Sequence, residues 1–146
     1  MDRVTFSGNL VLVTAIDGKT FHLAEPFVVS WLWPRVIPDP LPAIATYRRL
    51  AIPIGFKTDL ASIPQIFRSL IPQLGKHMRA AVAHDFIYSG SVRDWTRAEA
   101  DRLFLDAMVA CKVPGWKRWL MYLGVRVGGW IAWRNARKEK PLQVPS

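Results

Sequence analysis

Ala83-His84-Asp85-Phe86-Ile87-Tyr88, followed by Thr96-Arg97-Ala98-Glu99-Ala100-Asp101-Arg102-Leu103-Phe104, forms the centre of the stretch from His77 to Cys111 on which the reading of the fold turns. Two helices are expected here, Lys76–Ser89 and Thr96–Cys111, joined by a short polar turn. The second has a clear start, because Thr96 and Glu99 have the Thr-x-x-Glu spacing of a capping box. Its apolar stripe is Ala100, Leu103, Phe104, Ala107, Met108 and Cys111, a period that must face a core. On the first helix His77, Ala81, His84 and Tyr88 follow near-helical steps, so His84 and Tyr88 share a face. Asp85 projects about 100° away from its neighbour, so His84 and Asp85 cannot form a dyad with each other. Asp101 lies at the edge of the apolar stripe, where a partly buried carboxylate needs a partner. His84, on the antiparallel neighbour, is the expected one.

Towards the C-terminus, Val113-Pro114-Gly115 breaks the chain before a third helix, Trp116 to about Arg137. Trp119, Leu120, Leu123, Val127, Trp130 and Ile131 give it an apolar face, while Gly124, Gly128 and Gly129 are open to close backbone approach. The run from Arg134 to Lys140 is strongly basic. Such a helix either lies on a membrane surface or packs in a core or subunit contact. The tail after Pro141 is expected to be extended.

Towards the N-terminus, residues 4–33 read as β structure. Leu10–Ile16 is rich in β-branched residues, Asp17-Gly18 supplies a hairpin turn into Lys19–Leu23, and Phe27–Trp33 is a third strand. His22 then reads as a surface or strand-packing imidazole. Pro34, Pro38, Pro40 and Pro42 mark a connector that excludes helix and central strand. Tyr47–Ile52 forms another short strand, and Pro53–Pro64 is a structured loop containing Asp59. Asp59 serves there either as a turn or helix cap onto Ser62, or as a metal ligand. Gln65–Leu74 has the spacing of a short helix. The fold class expected is α+β in one domain: 1–52 mainly β, 53–75 loop and short helix, and 76–140 helical with a central antiparallel pair.

With 146 residues the chain is long enough to bury a real core. Its formal charge of +9 favours anionic partners, whether nucleic acid, anionic lipid or an acidic protein surface. Cys111 stands alone, so no internal disulfide forms. The N-terminal residues have no signal-peptide core, and no apolar run approaches the roughly 20 residues a spanning helix needs. The expectation is a soluble or peripheral protein.

The chemistry expected of the central pair follows from its residue types. A histidine held by a buried carboxylate is a general base for activating water, and the carboxylate fixes its tautomer and stabilises the imidazolium. Asp85, on another side of the helix, would bind a hard cation together with Asp59 and other oxygens of the Gly55–Ser62 loop. Calcium accepts such a mixture of ligands. Cys111 lacks a basic partner and sits on the core stripe, which argues against a thiol nucleophile. No Gly-x-Ser-x-Gly, P-loop or zinc-ligand spacing occurs in the sequence.

His84-Asp85-x-x-Tyr88 on one helix, with Asp101-x-x-Phe104 on the next, resembles the core of the secretory phospholipase A2 superfamily, its bacterial and fungal branch most of all. The resemblance covers about 30 residues. It implies a calcium-dependent hydrolase acting on membrane phospholipid, with His84 as base, Asp85 on calcium, Asp101 orienting His84 and Tyr88 supporting Asp101. This chain lacks the family's disulfides and its Gly-rich calcium loop, which the Asp59 loop would have to replace. A second resemblance spans roughly Ile52 to Gly128. Gly55-Phe56-x-Thr58-Asp59-Leu60-Ala61-Ser62-Ile63-Pro64, the His84 and Asp101 motifs and Leu120-Met121-Tyr122 look like an uncharacterised domain family of tailed phages and prophages. It implies a viral or prophage origin but no established activity, and the expectation drawn is a virion- or tail-associated protein made in the host cytoplasm. Two readings therefore stand: a phospholipase-like hydrolase meeting an anionic membrane, and a structural or assembly protein that contacts other phage proteins or itself, with His84, Asp85 and Asp101 as a structural network. A nucleic-acid partner is disfavoured by the acidic cluster and the lack of a recognised motif.

Overall fold

The structure, a computed structural model, describes residues 3–33, 46–58 and 75–138. Six strands and three helices follow one another along these residues, an α+β arrangement as the sequence predicts. The strands form two antiparallel sheets. In the first, β4 (Phe27–Trp33) lies between β1 (Val4–Ser7) and β5 (Thr46–Ile52). In the second, β3 (Phe21–Leu23) lies between β2 (Leu12–Thr14) and β6 (Lys57–Thr58). Along β4 the side chains of Phe27, Val29 and Trp31 are buried and those between them are not, the period-2 alternation of a sheet with one face on the core.

The hairpin at Asp17-Gly18 is present, with Gly18 at φ 68° where only glycine is unstrained. The Asp17 carboxylate accepts hydrogen bonds from the Lys19 and Thr20 amides and from the Thr20 hydroxyl. The Thr20 hydroxyl is the main reason its pKa falls to about 2. The paired strands are shorter than the apolar runs that announced them, because pairing is confined to Leu12–Thr14 with Phe21–Leu23. His22 takes the strand position expected of it, opposite Val13 and Lys57.

Helix α1 (Met78–Tyr88) is buried nearly all round, and α2 (Arg97–Ala110) packs beside it. Ala80, Ala81 and Ala83 are fully enclosed, which lets neighbouring elements approach α1 from several sides. The capping box at Thr96 is formed in both directions, Thr96 Oγ1 accepting from the Glu99 amide and Glu99 Oε2 from the Thr96 amide. Glu99 also receives Arg48 of β5 at 2.9 Å. Arg48 lies 3.7 Å over the Trp95 ring, which stacks on Trp31. Trp31 Nε1 donates to the buried Asp106 of α2 at 3.0 Å. These contacts bolt α2 to the first sheet and so fix the position from which Asp101 projects.

Helix α3 (Gly115–Lys138) buries Met121 and Val125. The apolar face read from the sequence is not the one that enters the core. Trp119, Leu123, Val127, Trp130 and Ile131 are exposed, and only Leu120 of that set is partly covered. Among the described residues no helix is long and apolar enough to cross a membrane. The proline-rich connector and the short helix expected over 65–74 lie outside the described residues.

Replacing Trp31 by Phe keeps an aromatic ring but removes the donor to Asp106. Such a change costs about 1–3 kcal/mol when it strips a buried polar group of a partner. A urea titration should show a lower midpoint at an unchanged slope.

Candidate active site

Asp101 has no exposed surface; α1 and α3 send it hydrogen-bond donors, and α2 itself adds the charge of Arg97. From α1, His84 Nε2 lies 2.8 Å and the Tyr88 hydroxyl 2.5 Å from Oδ1. From α3, Arg126 Nη1 lies 2.8 Å from Oδ2. Arg97 Nε, one turn back on α2, is 4.0 Å from the same oxygen. An ionised carboxylate only accepts, so Nε2 carries the proton of the neutral imidazole and Nδ1 is left as the bare nitrogen. Nδ1 is 4.0 Å from Asp85 Oδ1 and has no hydrogen-bond partner among the described residues. The His84 ring packs on Tyr88 and Phe104, which hold its plane.

Burial opposes charge on His84, but the hydrogen bond and negative charge of Asp101, aided by Asp85, more than offset it and raise its pKa. Burial likewise pushes Asp101 up, and the donors from His84, Tyr88 and Arg126 outweigh it and hold the carboxyl below its usual range. Tyr88 is raised, by burial first and then by the carboxylate it faces. The Cys111 thiol is raised by burial, with Arg79 opposing weakly, which keeps it protonated near neutral pH.

A cavity of about 630 Å³ lies beside this network. His84, Asp85 and Tyr88 meet Thr58 and Lys57 on one side of it, and Gly124, Gly128 and Ala132 of α3 line the other. His84 is only 2 % exposed, so the cleft reaches the ring at its floor. The structure therefore brings His84, Asp101 and Tyr88 together as expected and places Asp85 in the same cleft. Asp59 lies outside the described residues. Asp85 Oδ2 accepts the Thr58 hydroxyl at 2.5 Å. Among the described residues no three His, Cys, Asp or Glu side chains are placed to hold a metal. Asp85 with the Thr58 hydroxyl does not by itself supply the six to eight oxygens calcium takes.

Two members of the site were not found in the sequence. Arg126 completes the neutralisation of Asp101, and Thr58 orients Asp85. The signal for Arg126 was its setting in Gly124-Val125-Arg126-Val127-Gly128-Gly129, a cation amid small residues on a helix. Gly129 supplies the close approach, since a Cβ there would stand 2.8 Å from the Tyr88 hydroxyl. At Gly128 a Cβ would meet nothing within 4 Å, so that glycine opens the cleft rather than tightening the packing.

A family model described as "Protein of unknown function (DUF1353)" matches residues 37–125, a span that includes His84, Tyr88 and Asp101 and ends one residue before Arg126. "Uncharacterized protein y4jT" of Sinorhizobium fredii (strain NBRC 101917 / NGR234) is 40 % identical to this chain over 80 residues. That alignment is 53 % of this chain and 23 % of the relative, so this chain matches less than a quarter of the relative's length. No solved structure matches.

The two neighbouring glycines should respond oppositely to alanine. Gly129→Ala forces Tyr88 or α3 to move and should lose about 1–3 kcal/mol. Gly128→Ala removes a flexible residue from a helix interior without a clash and should gain roughly 0.5–1 kcal/mol. Thermal unfolding of both variants checks the contrast. The charged pair also fixes a pH dependence. Because the folded His84 pKa is above its unfolded value of 6.5, its contribution is complete below 6.5 and lost as pH rises through the folded value. Because Asp101 is held below its unfolded value of 3.8, its contribution is present above 3.8 and lost on acidification through the folded value. Urea midpoints should therefore be highest between these limits, and His84→Gln should flatten the alkaline decline.

Proposed function

The chain belongs to the DUF1353 family, and we propose that it is a hydrolase in which His84 activates water against an ester of membrane phospholipid. The observation that carries the reading is the hydrogen-bonded His84–Asp101 pair, with Nδ1 of the same ring beside a cleft and without a hydrogen-bond partner among the described residues. In the reaction Nδ1 takes a proton from water as the oxygen attacks the ester carbonyl carbon. The tetrahedral intermediate then collapses, the carbon–oxygen bond to the alcohol breaks, and the imidazolium returns the proton to the leaving oxygen. Asp101 stabilises the imidazolium, and Tyr88 and Arg126 keep Asp101 ionised and aimed. Lys57, which also lines the cleft, is positioned to attract the phosphate of such a substrate. The sequence resemblance to the secretory phospholipases supports the ester and lipid class, and the +9 charge supports an anionic membrane.

The phage-like motifs support a virion-borne, tail-associated protein made in the host cytoplasm, where such an activity would act on the host membrane. Calcium would add charge stabilisation beside the ester, held by Asp85 together with Asp59. The competing reading is a phage structural or assembly protein in contact with its neighbours or with itself, whose network only clamps helices. The near-complete burial of His84 and the direct neutralisation of Asp101 by Arg126 favour it.

Fatty-acid release from phosphatidylglycerol and phosphatidylcholine vesicles decides between the two. The hydrolase should release fatty acid at a rate that rises with pH through a His84 pKa above 6.5, because the base works only when neutral. His84→Gln should lower that rate by about 10²–10⁴-fold with the fold intact. Release from neither protein, with the variant only less stable, would leave the structural reading. Added calcium against chelator in the same assay reports whether Asp85 and Asp59 hold a cation.

A further inference from the structure

Helix α3 turns a continuous apolar face to solvent. Trp116, Trp119, Leu123, Val127, Trp130 and Ile131 are each 50–76 % exposed. Their steps of three and four residues align them along one side of a 24-residue helix, which is about 36 Å long. An exposed apolar surface this extended marks a contact site. It faces away from Met121 and Val125, so the fold itself offers nothing further to cover it among the described residues. Most of the face's C-terminal half lies beyond the residues matched by the family.

Charge decides what covers it. Residues 115–138 contain Lys117, Arg118, Arg126, Arg134, Arg137 and Lys138, and no Asp or Glu. Arg126 is engaged with Asp101 and Arg118 with the Val113 carbonyl. Arg134 and Lys138 are exposed, and Arg134, four residues after Trp130, continues the apolar face. A second copy laid against this face would bring like charges together with no carboxylate on either helix to answer them. Nucleic acid would answer the charge and leave the tryptophans uncovered. A bilayer with anionic head groups satisfies both features, taking the apolar side chains into the boundary of the acyl region and the cations among the phosphates. Tryptophans near both ends of the face suit that boundary. α3 is not long and apolar enough to cross a bilayer, so such a contact would run along one.

We propose that α3 docks this protein on an anionic bilayer through the Trp116–Ile131 face, with Arg134 and Lys138 on lipid phosphates. Ile131 is one turn from Gly128 and Leu120 one turn from Gly124, so the docked face borders the cleft wall. Delivery of lipid to the cleft rests on the hydrolase reading above. The docking itself does not.

Flotation of the full chain with vesicles tests it, using phosphatidylcholine alone and an equimolar mixture with phosphatidylglycerol. The expected result is binding to the mixture that weakens with salt and is at least about tenfold weaker on phosphatidylcholine alone. The double variant Val127→Glu/Trp130→Glu changes two exposed positions, and circular dichroism confirms its fold. It should lose at least about tenfold in vesicle binding. His84→Gln should float like the wild type, so a failure of docking and a failure of catalysis are read separately. No flotation of the wild type, or flotation unchanged in the double variant, overturns the proposal. So does a dimer that the double variant dissociates, which assigns the face to a second copy, or retention on duplex DNA without vesicle binding.

Discussion

A carboxylate without exposed surface has to be neutralised where it stands, and Asp101 is neutralised by groups from all three helices. His84 and Tyr88 bring α1 to it, Arg126 brings α3, and Arg97 stands one turn away on its own helix. The charge would be very costly in an apolar interior if any of these helices were displaced, so the network specifies one arrangement of them. The rest of the structure serves this requirement. Trp31 and Arg48 fasten α2 to a sheet so that Asp101 has a fixed origin. Gly129 lets α3 approach until the Tyr88 hydroxyl fits beneath it.

The same constraint creates the chemical asymmetry of His84. One ring nitrogen is committed to Asp101, and the other is turned towards Asp85 beside the cleft. A network meant only to clamp helices gains nothing from a nitrogen that, among the described residues, is left unpaired at a cavity, because an unsatisfied buried acceptor lowers stability. A base awaiting water gains from it directly. Arg126 tempers the effect, since it shares the Asp101 charge and keeps that carboxylate from acting on His84 alone.

Helix α3 reconciles two demands on its surface. Its inner side is made of small residues where the cleft runs and of Met121 and Val125 where the core is packed. Its outer side carries tryptophan, leucine, valine and isoleucine among cations. Hydropathy does not distinguish these sides in the expected sense, because the larger apolar residues are the ones outside. Close approach to Tyr88 requires glycine within, and the bulky residues are left to an external surface.

Local physics was sufficient for much of this protein. The Thr96–Glu99 spacing located a helix start to the residue, Asp17-Gly18 located a hairpin, and the stripe from Ala100 to Met108 named the buried face of α2. The pairing of His84 with Asp101 followed from a carboxylate on that stripe and a histidine one helix away. Each of these depends on residues within a few turns, where periodicity and hydrogen-bonding capacity decide the geometry. Tertiary structure alone decided the rest. The division of the strands into two sheets depends on pairings such as Val4 with Trp31 and Phe21 with Thr58, which no local pattern encodes. Arg126 and Thr58 joined the site from distant elements, and α3 put its glycines and Trp133, rather than the tryptophans of its apolar face, against the site. The reason is common to all three: long-range neighbours are selected by mutual fit and by the need to neutralise a buried charge, and neither is written within a single stretch of chain.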